Sequence, residues 1–330
     1  MPGLVNTHHH LFLTLTKAII KAQNASLFDW LKILYPIWSK ITSAELKSAV
    51  KIGLSELMTS GCTTTSDHLY IFPNGIKLED EIEVAQTLGI RFHSTRGSMS
   101  IGESNGGLPP DYLVEDESFI IKDSQDIINK WHDPSHGSMI RIALAPCSPF
   151  SVSKELMRDT AILAREYNVG LHTHLAENSD DVEYSKRMFG LTPGQYIEEL
   201  GWIGKDVWHA HCVKLNNEEI DLFSRTGTSV SHCPCSNMRL GSGILPLNKM
   251  LDKGVNVGLG VDGSASNDSG NLLNEARQAL YLQRVNETNN FYLNARNALW
   301  LATAGGATAL NRDDIGSIKI GNCADFAIYD

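Results

Sequence analysis

Several things are scarce in this sequence, and each absence removes a class of function. Its 28 Lys and Arg are outnumbered by 38 Asp and Glu, giving a formal net charge of −10. The basic face that nucleic acid or an anionic membrane demands is therefore missing. No apolar run approaches the roughly 20 residues needed to cross a bilayer. The N-terminus shows neither the basic region nor the apolar core of a secretory leader, so none is expected. No Gly-x-Gly-x-x-Gly follows an early strand, which removes support for a dinucleotide-binding sheet. The six cysteines (Cys62, Cys147, Cys212, Cys233, Cys235 and Cys323) lie mostly in or beside apolar strand-like runs, as reduced thiols do, and point to a cytoplasmic protein. His232-Cys233-Pro234-Cys235 lacks the second spaced cysteine of a Pro-Cys-x-x-Cys thiolate site, so Cys233 and Cys235 are not read as ligands.

What is present is a repeated alternation of strand and helix. Strands are expected at 2–8, 61–68, 90–96, 139–145, 169–175, 207–212, 229–233 and 255–261. Helical patterns lie between them, including 44–59 capped by Ser43, 77–88, 116–131, and one after Ser151 or Ser153 that runs to 167. Eight such units point to a parallel sheet closed into a (β/α)₈ barrel, with an open doubly wound sheet as the alternative. The composition, 42% hydrophobic and 20% charged, supplies ample core. The tail from Ile315 to Asp330 reads as two short strands around a turn. A lone hairpin is marginal, so these strands are assigned to a small β domain, with the barrel at 1–312 and the remnant at 313–330.

Metal-capable side chains fall at the strand ends, where barrels of this kind carry their active sites. His8 and His10 share one side of strand one. A purification tag would run to about six histidines and would lack an apolar strand before it. His172 and His174 end strand five, His209 and His211 strand six, and Asp262 strand eight. Three imidazoles, a carboxylate and a water suit one zinc-like ion with an open position. His8, His10, His174 and Asp262 are assigned as ligands. His172 competes with His174, and the His-x-x-Glu spacing to Glu177 favours His174. His211 reads as an orienting base. The strand-four run from Ile140 to Ala145 holds no lysine, so a bridging modified lysine and a second ion are not expected.

The stretches Pro2–His10, His172-Thr173-His174-Leu175-Ala176-Glu177, His209-Ala210-His211-Cys212-Val213 and Val261–Asp268 resemble the amidohydrolase superfamily, in particular its mononuclear deaminase branch. The resemblance covers essentially the whole chain in order. It implies a (β/α)₈ barrel with a small β-sandwich built from both chain ends. It also implies His8, His10, His174 and Asp262 on one Zn²⁺ (Fe²⁺ being the alternative), with Glu177, His211 and Asp262 as catalytic groups. Ser66–Tyr70, Thr95–Ser100 with Gly106–Asp111, and Leu144–Val152 are most similar to 8-oxoguanine deaminases. That implies hydrolysis of a nucleobase to urate and ammonia, often by a homo-oligomer. A triazine amino- or chlorohydrolase is the alternative. A metal-free scaffold would show lost ligands, and none is lost. Many relatives carry Gln where this chain has Leu13. For substrate contacts, Trp30 is a candidate wall against a core role. Arg96 is a candidate for a carbonyl edge against an ion pair with Glu103 or Asp111. Cys147 and Ser148 are candidates against simple packing. Asn237 is expected to orient the strand-seven loop.

Overall fold

The computed structural model describes residues 1–286 and 293–329. Eight parallel strands close in sequence order: β1 Leu4–Asn6, β2 Cys62–Leu69, β3 Arg91–Ser98, β4 Ile140–Pro146, β5 Gly170–Leu175, β6 Val207–His211, β7 Ser229–His232 and β8 Val257–Leu259. β1 pairs with β8 through Asn6 and Leu259, which completes the (β/α)₈ barrel. Helices lie between the strands, and their apolar stripes pack on the outside of the barrel.

The expected boundaries move where side chains take over backbone hydrogen bonds. β8 is shorter than 255–261. The Val255 amide closes on Met250 O at 2.9 Å, and the Val261 amide is taken by Asn6 Oδ1 at 2.9 Å. The helix expected at 44–59 is Ser43–Thr59, and its N-cap is Thr42, whose amide donates to Glu45 Oε2 at 2.8 Å. Ser43 Oγ donates to Asp80 instead. Ser153, not Ser151, caps the helix Lys154–Glu166, accepting from the Leu156 amide at 2.9 Å.

The segment between β1 and β2 folds as the 3₁₀ turn Leu11–Thr16 and the helix Leu27–Trp38, which lay Leu13, Trp30 and Leu31 over the barrel mouth. At the opposite end the chain termini meet. Pro2 and Phe326 form an antiparallel bridge, the Gly3 amide donates to Asp325 O, and the Ala327 amide donates to Met1 O. Residues 313–329 form turns rather than the expected paired strands, with that bridge as their one regular pairing among the described residues. Asp330 lies outside the described residues. All six cysteines are free. No helix among the described residues is long and apolar enough to cross a membrane.

Candidate metal centre

Strand polarity gathers the polar residues at one end of the barrel. Beyond β1 the chain stays extended, so His8 and His10 enter the same space. His174 lies on β5, His211 ends β6, and Asp262 follows β8. Gly260 makes this approach possible: a Cβ there would lie 2.7 Å from His8 Cβ. Ala176 (φ 49°), His211 (φ 69°) and Asp262 (φ 61°) are all left-handed. Such conformations cost about 1–3 kcal/mol each and persist where the surrounding structure over-determines them. Here they turn Glu177, His211 and Asp262 into one cleft.

Hydrogen bonds assign a tautomer to each imidazole. His172 Nδ1–H donates to Trp208 O at 2.7 Å, so His172 Nε2 must accept from His8 Nδ1–H at 2.8 Å. His10 Nδ1–H donates to His68 O at 2.7 Å, and His174 Nδ1–H donates to Cys147 O at 2.6 Å. Each of His8, His10 and His174 therefore turns an Nε2 lone pair inward. Burial lowers the pKa of all three rings, to about 3 for His174, which keeps them in the neutral form that a metal needs.

The inward atoms suit a cation. His10 Nε2 and His174 Nε2 face each other at 3.0 Å, and His8 Nε2 and His10 Nε2 each lie 3.4 Å from Asp262 Oδ1. Lone pairs and a carboxylate at these distances repel unless a positive charge lies between them. Ligands about 2.0–2.1 Å from one zinc are roughly 2.9–3.4 Å apart for angles between 90° and tetrahedral. His8 Nε2 is buried and has no hydrogen-bond partner, as a ligand atom would be. Burial pushes the Asp262 carboxyl up. The proximity of His8, His10 and His211 outweighs it and holds the group well below the usual carboxylate range. Ser236 Oγ and the Gly263 amide also donate to Asp262, at 2.6 and 2.7 Å.

Glu177 and His211 are a different kind of pair. Asn237 Nδ2 donates to His211 Nδ1 at 3.0 Å, which leaves a proton on His211 Nε2, 3.5 Å from Glu177 Oε2 and 4.0 Å from Asp262 Oδ2. His211 thus presents a donor where the other three rings present acceptors. Burial, with Asp181 and Asp262 nearby, raises the Glu177 pKa well above its ordinary value. Its backbone amide is held by Asp181 Oδ2 at 2.8 Å.

A cleft of about 490 Å³ opens above this group. Leu13, Leu27, Trp30, Leu31, Tyr70, Cys147, Phe150 and Leu240 line it, with His10, His174, Glu177, Asp181, His211, Asp262 and Ser266. Trp30 and Cys147 therefore reach the site. Arg96 does not. It points outward into the helix layer, where Glu115 binds it at 2.8 and 2.9 Å and Asp123 at 2.7 Å, with Phe72 against its guanidinium. The expected substrate contact is thus an internal ion pair, although the partners are not Glu103 or Asp111. β3 continues to Ser98, so Arg96 lies within the strand rather than at its end. Ser148 is buried in a turn with Ser151 and does not line the cleft. Asn237 acts through His211. Sequence reading missed Tyr70, Phe150, Leu240 and Asp181 in the lining, and it missed His68 beside the ligand cluster. The signal for His68 was present, since it is one more histidine near the C-terminal end of a barrel strand.

The family model "Amidohydrolase family" matches residues 1–330. This chain belongs to the amidohydrolase family. Among relatives of this amidohydrolase, the 8-oxoguanine deaminase of Pseudomonas aeruginosa is 47% identical over 331 residues, covering 100% of this chain and 74% of that protein. An isoxanthopterin deaminase from an unknown prokaryotic organism is 36% identical over 348 residues, covering 99% and 72%. Among solved structures, the atrazine chlorohydrolase TrzN from Arthrobacter aurescens TC1, complexed with zinc, superposes with a TM-score of 0.94 at 35% identity, covering 98% and 74%. The amidohydrolase is a hydrolytic deaminase, and its His/Asp cluster could hold a metal ion.

Two outcomes follow for this amidohydrolase. His172→Phe leaves His8 Nδ1–H without its acceptor, and zinc affinity measured by chelator competition should fall about 10–100-fold. Arg96→Met strands Glu115 and Asp123, and the denaturation midpoint should report a loss of about 3 kcal/mol. KM should stay within about twofold, whereas a large rise in KM would return Arg96 to the substrate.

Proposed function

We propose that this amidohydrolase deaminates 8-oxoguanine, releasing urate and ammonia, with a zinc ion held by His8, His10, His174 and Asp262. One observation carries the substrate: the 47% identity to an 8-oxoguanine deaminase extends over the whole chain. Zinc is supported by the TrzN structure, which is complexed with that metal. When bound, the ion supplies an acidified water, its pKa lowered from about 15.7 toward about 7.

The residues divide the remaining work. Glu177, kept protonated by burial, gives its proton to the ring nitrogen beside the amino-bearing carbon and makes that carbon electrophilic. Asp262 is ionised and takes the proton released as oxygen adds to the carbon. His211 Nε2–H, fixed by Asn237, donates to the oxygen as it gains negative charge. The amino group receives a proton and leaves as ammonia. Trp30 and Phe150 supply flat apolar walls for a planar base.

The alternative substrate is a triazine, favoured by Leu13, Leu27, Leu31 and Leu240 in the lining. These residues suit alkyl groups better than the polar rim of a purine. Ammonia release by the zinc-loaded protein on 8-oxoguanine, guanine, isocytosine and a hydroxytriazine decides between them. At least a tenfold preference in kcat/KM for 8-oxoguanine is expected, and a preference for the triazine would replace the purine reading.

Glu177→Gln should lower kcat by at least about 10²–10⁴-fold while bound zinc, measured by elemental analysis, stays near one per chain. A general acid with a raised pKa works below that pKa, so wild-type kcat should fall on the alkaline side as Glu177 loses its proton. The Gln variant should lack that limb.

A further inference from the structure

The chemistry above leaves Glu275 without a task, although the residue is fully buried. It belongs to the helix Leu272–Asn286 and does not line the cleft. A carboxyl at that depth is costly, and an apolar side chain of similar volume would cost less. What an apolar side chain cannot do is accept N–H groups from two separate elements. Glu275 Oε2 accepts from the Cys235 amide at 3.0 Å, and Glu275 Oε1 accepts from Asn267 Nδ2 at 2.9 Å.

Each of these donors leads to a group at the site. Cys235 lies in the first turn of the helix Pro234–Arg239, and the next two residues reach the cleft machinery. Ser236 Oγ donates to Asp262 Oδ2 at 2.6 Å, and Asn237 Nδ2 donates to His211 Nδ1 at 3.0 Å. Asn267 lies in the turn after β8. Its Nδ2 also donates to Val261 O at 2.5 Å, on the residue before Asp262. Asp262 Oδ2 and His211 Nε2 stand 4.0 Å apart, and one helix of six residues holds both groups. So short a helix is not stable by its own hydrogen bonds, so contacts from outside fix its place. The Glu275 carboxyl is such a contact, and it joins the helix to the loop that carries Asp262.

We propose that Glu275 is a positioning residue for the hydrolysis: by tying the Cys235 amide to the Asn267 side chain, it sets the separation of Asp262 and His211. This rests on the reading of the cleft as a metal-dependent deaminase site. Glu275 acts through Ser236, Asn237 and Asn267, and touches neither the substrate nor the metal.

The test uses the zinc-loaded chain, with kcat taken per bound zinc from elemental analysis. Glu275→Gln keeps the volume but replaces one acceptor by a donor, so one of the two N–H groups then faces another N–H. Its kcat per bound zinc should fall about 10–100-fold, with KM within about twofold. Glu219→Gln is the control for a merely structural carboxyl. Glu219 accepts the Gly194 and Asn216 amides, each at 2.7 Å, in the outer helices. That variant should lower the denaturation midpoint and leave kcat per bound zinc within about twofold of wild type. A fall in Glu275→Gln no larger than in Glu219→Gln would overturn the proposal. The second readout is zinc affinity by chelator competition, in a cycle with Ser236→Ala. Because Glu275 reaches Asp262 partly through Ser236, the loss in the double variant should be at least about threefold smaller than the product of the two single losses. Losses that multiply in full would overturn the proposal. A wild-type chain that binds no zinc or releases no ammonia would overturn both the proposal and the reading it rests on, whereas an active wild type with an unaffected Glu275→Gln would overturn the proposal alone.

Discussion

The arrangement depends on lone pairs pointed at one another. His10 and His174 face each other at 3.0 Å, and the Asp262 carboxylate stands 3.4 Å from His8 and His10. A protein without a cation would relax such a cluster, or protonate part of it. This one opposes both. His172 and the carbonyls of His68 and Cys147 hold the outer nitrogens of His8, His10 and His174, and burial disfavours imidazolium. The inner edge is thereby committed to a positive charge brought from outside.

The same device, run in the opposite sense, separates ligands from acid–base groups. An acceptor carbonyl behind a ring makes its far nitrogen a ligand atom, and a donor amide behind it makes the far nitrogen a donor. Carbonyls, directly or through His172, lie behind His8, His10 and His174, while the Asn237 amide lies behind His211. Two carboxyls in the same cleft likewise part ways. Asp262 accepts hydrogen bonds from Ser236 Oγ and the Gly263 amide, and its carboxyl is held well below the usual carboxylate range. Glu177 is buried near Asp181 and Asp262, which raises its pKa well above the usual carboxylate range. For the proposed hydrolysis one group must take a proton and another give one, and these environments suit Asp262 and Glu177 to those two tasks.

Substrate selection rests on a separate layer. The long segment after β1 covers the mouth with Leu13, Trp30 and Leu31, while Tyr70, Phe150 and Leu240 come from other loops. No arginine or lysine lines the cleft among the described residues, because Arg96 is spent on Glu115 and Asp123. A lining of this kind agrees with the flat, uncharged ring proposed as substrate.

The barrel and the convergence of His8, His10, His174, His211 and Asp262 were legible in the chain itself. Strand periodicity repeats eight times, and parallel strands in a closed barrel must bring their C-terminal ends to one face, so histidines at those ends meet whatever the details. The preference for His174 over His172 is read from the His-x-x-Glu spacing; in the structure both nitrogens of His172 are engaged, by His8 and by Trp208 O. Three things only the tertiary structure decided. Arg96 faces the helix layer because alternation along β3 turns it outward, where Glu115 and Asp123, far along the chain, bind it. His68 lies among His8, His10 and His174 because strand pairing brings β2 beside β1 and β3. The tautomers, and with them the division into ligands and proton donors, come from carbonyls and amides distant in sequence. Local sequence specifies which way a strand side chain alternates; which partner waits on either side is set by neighbours that only folding supplies.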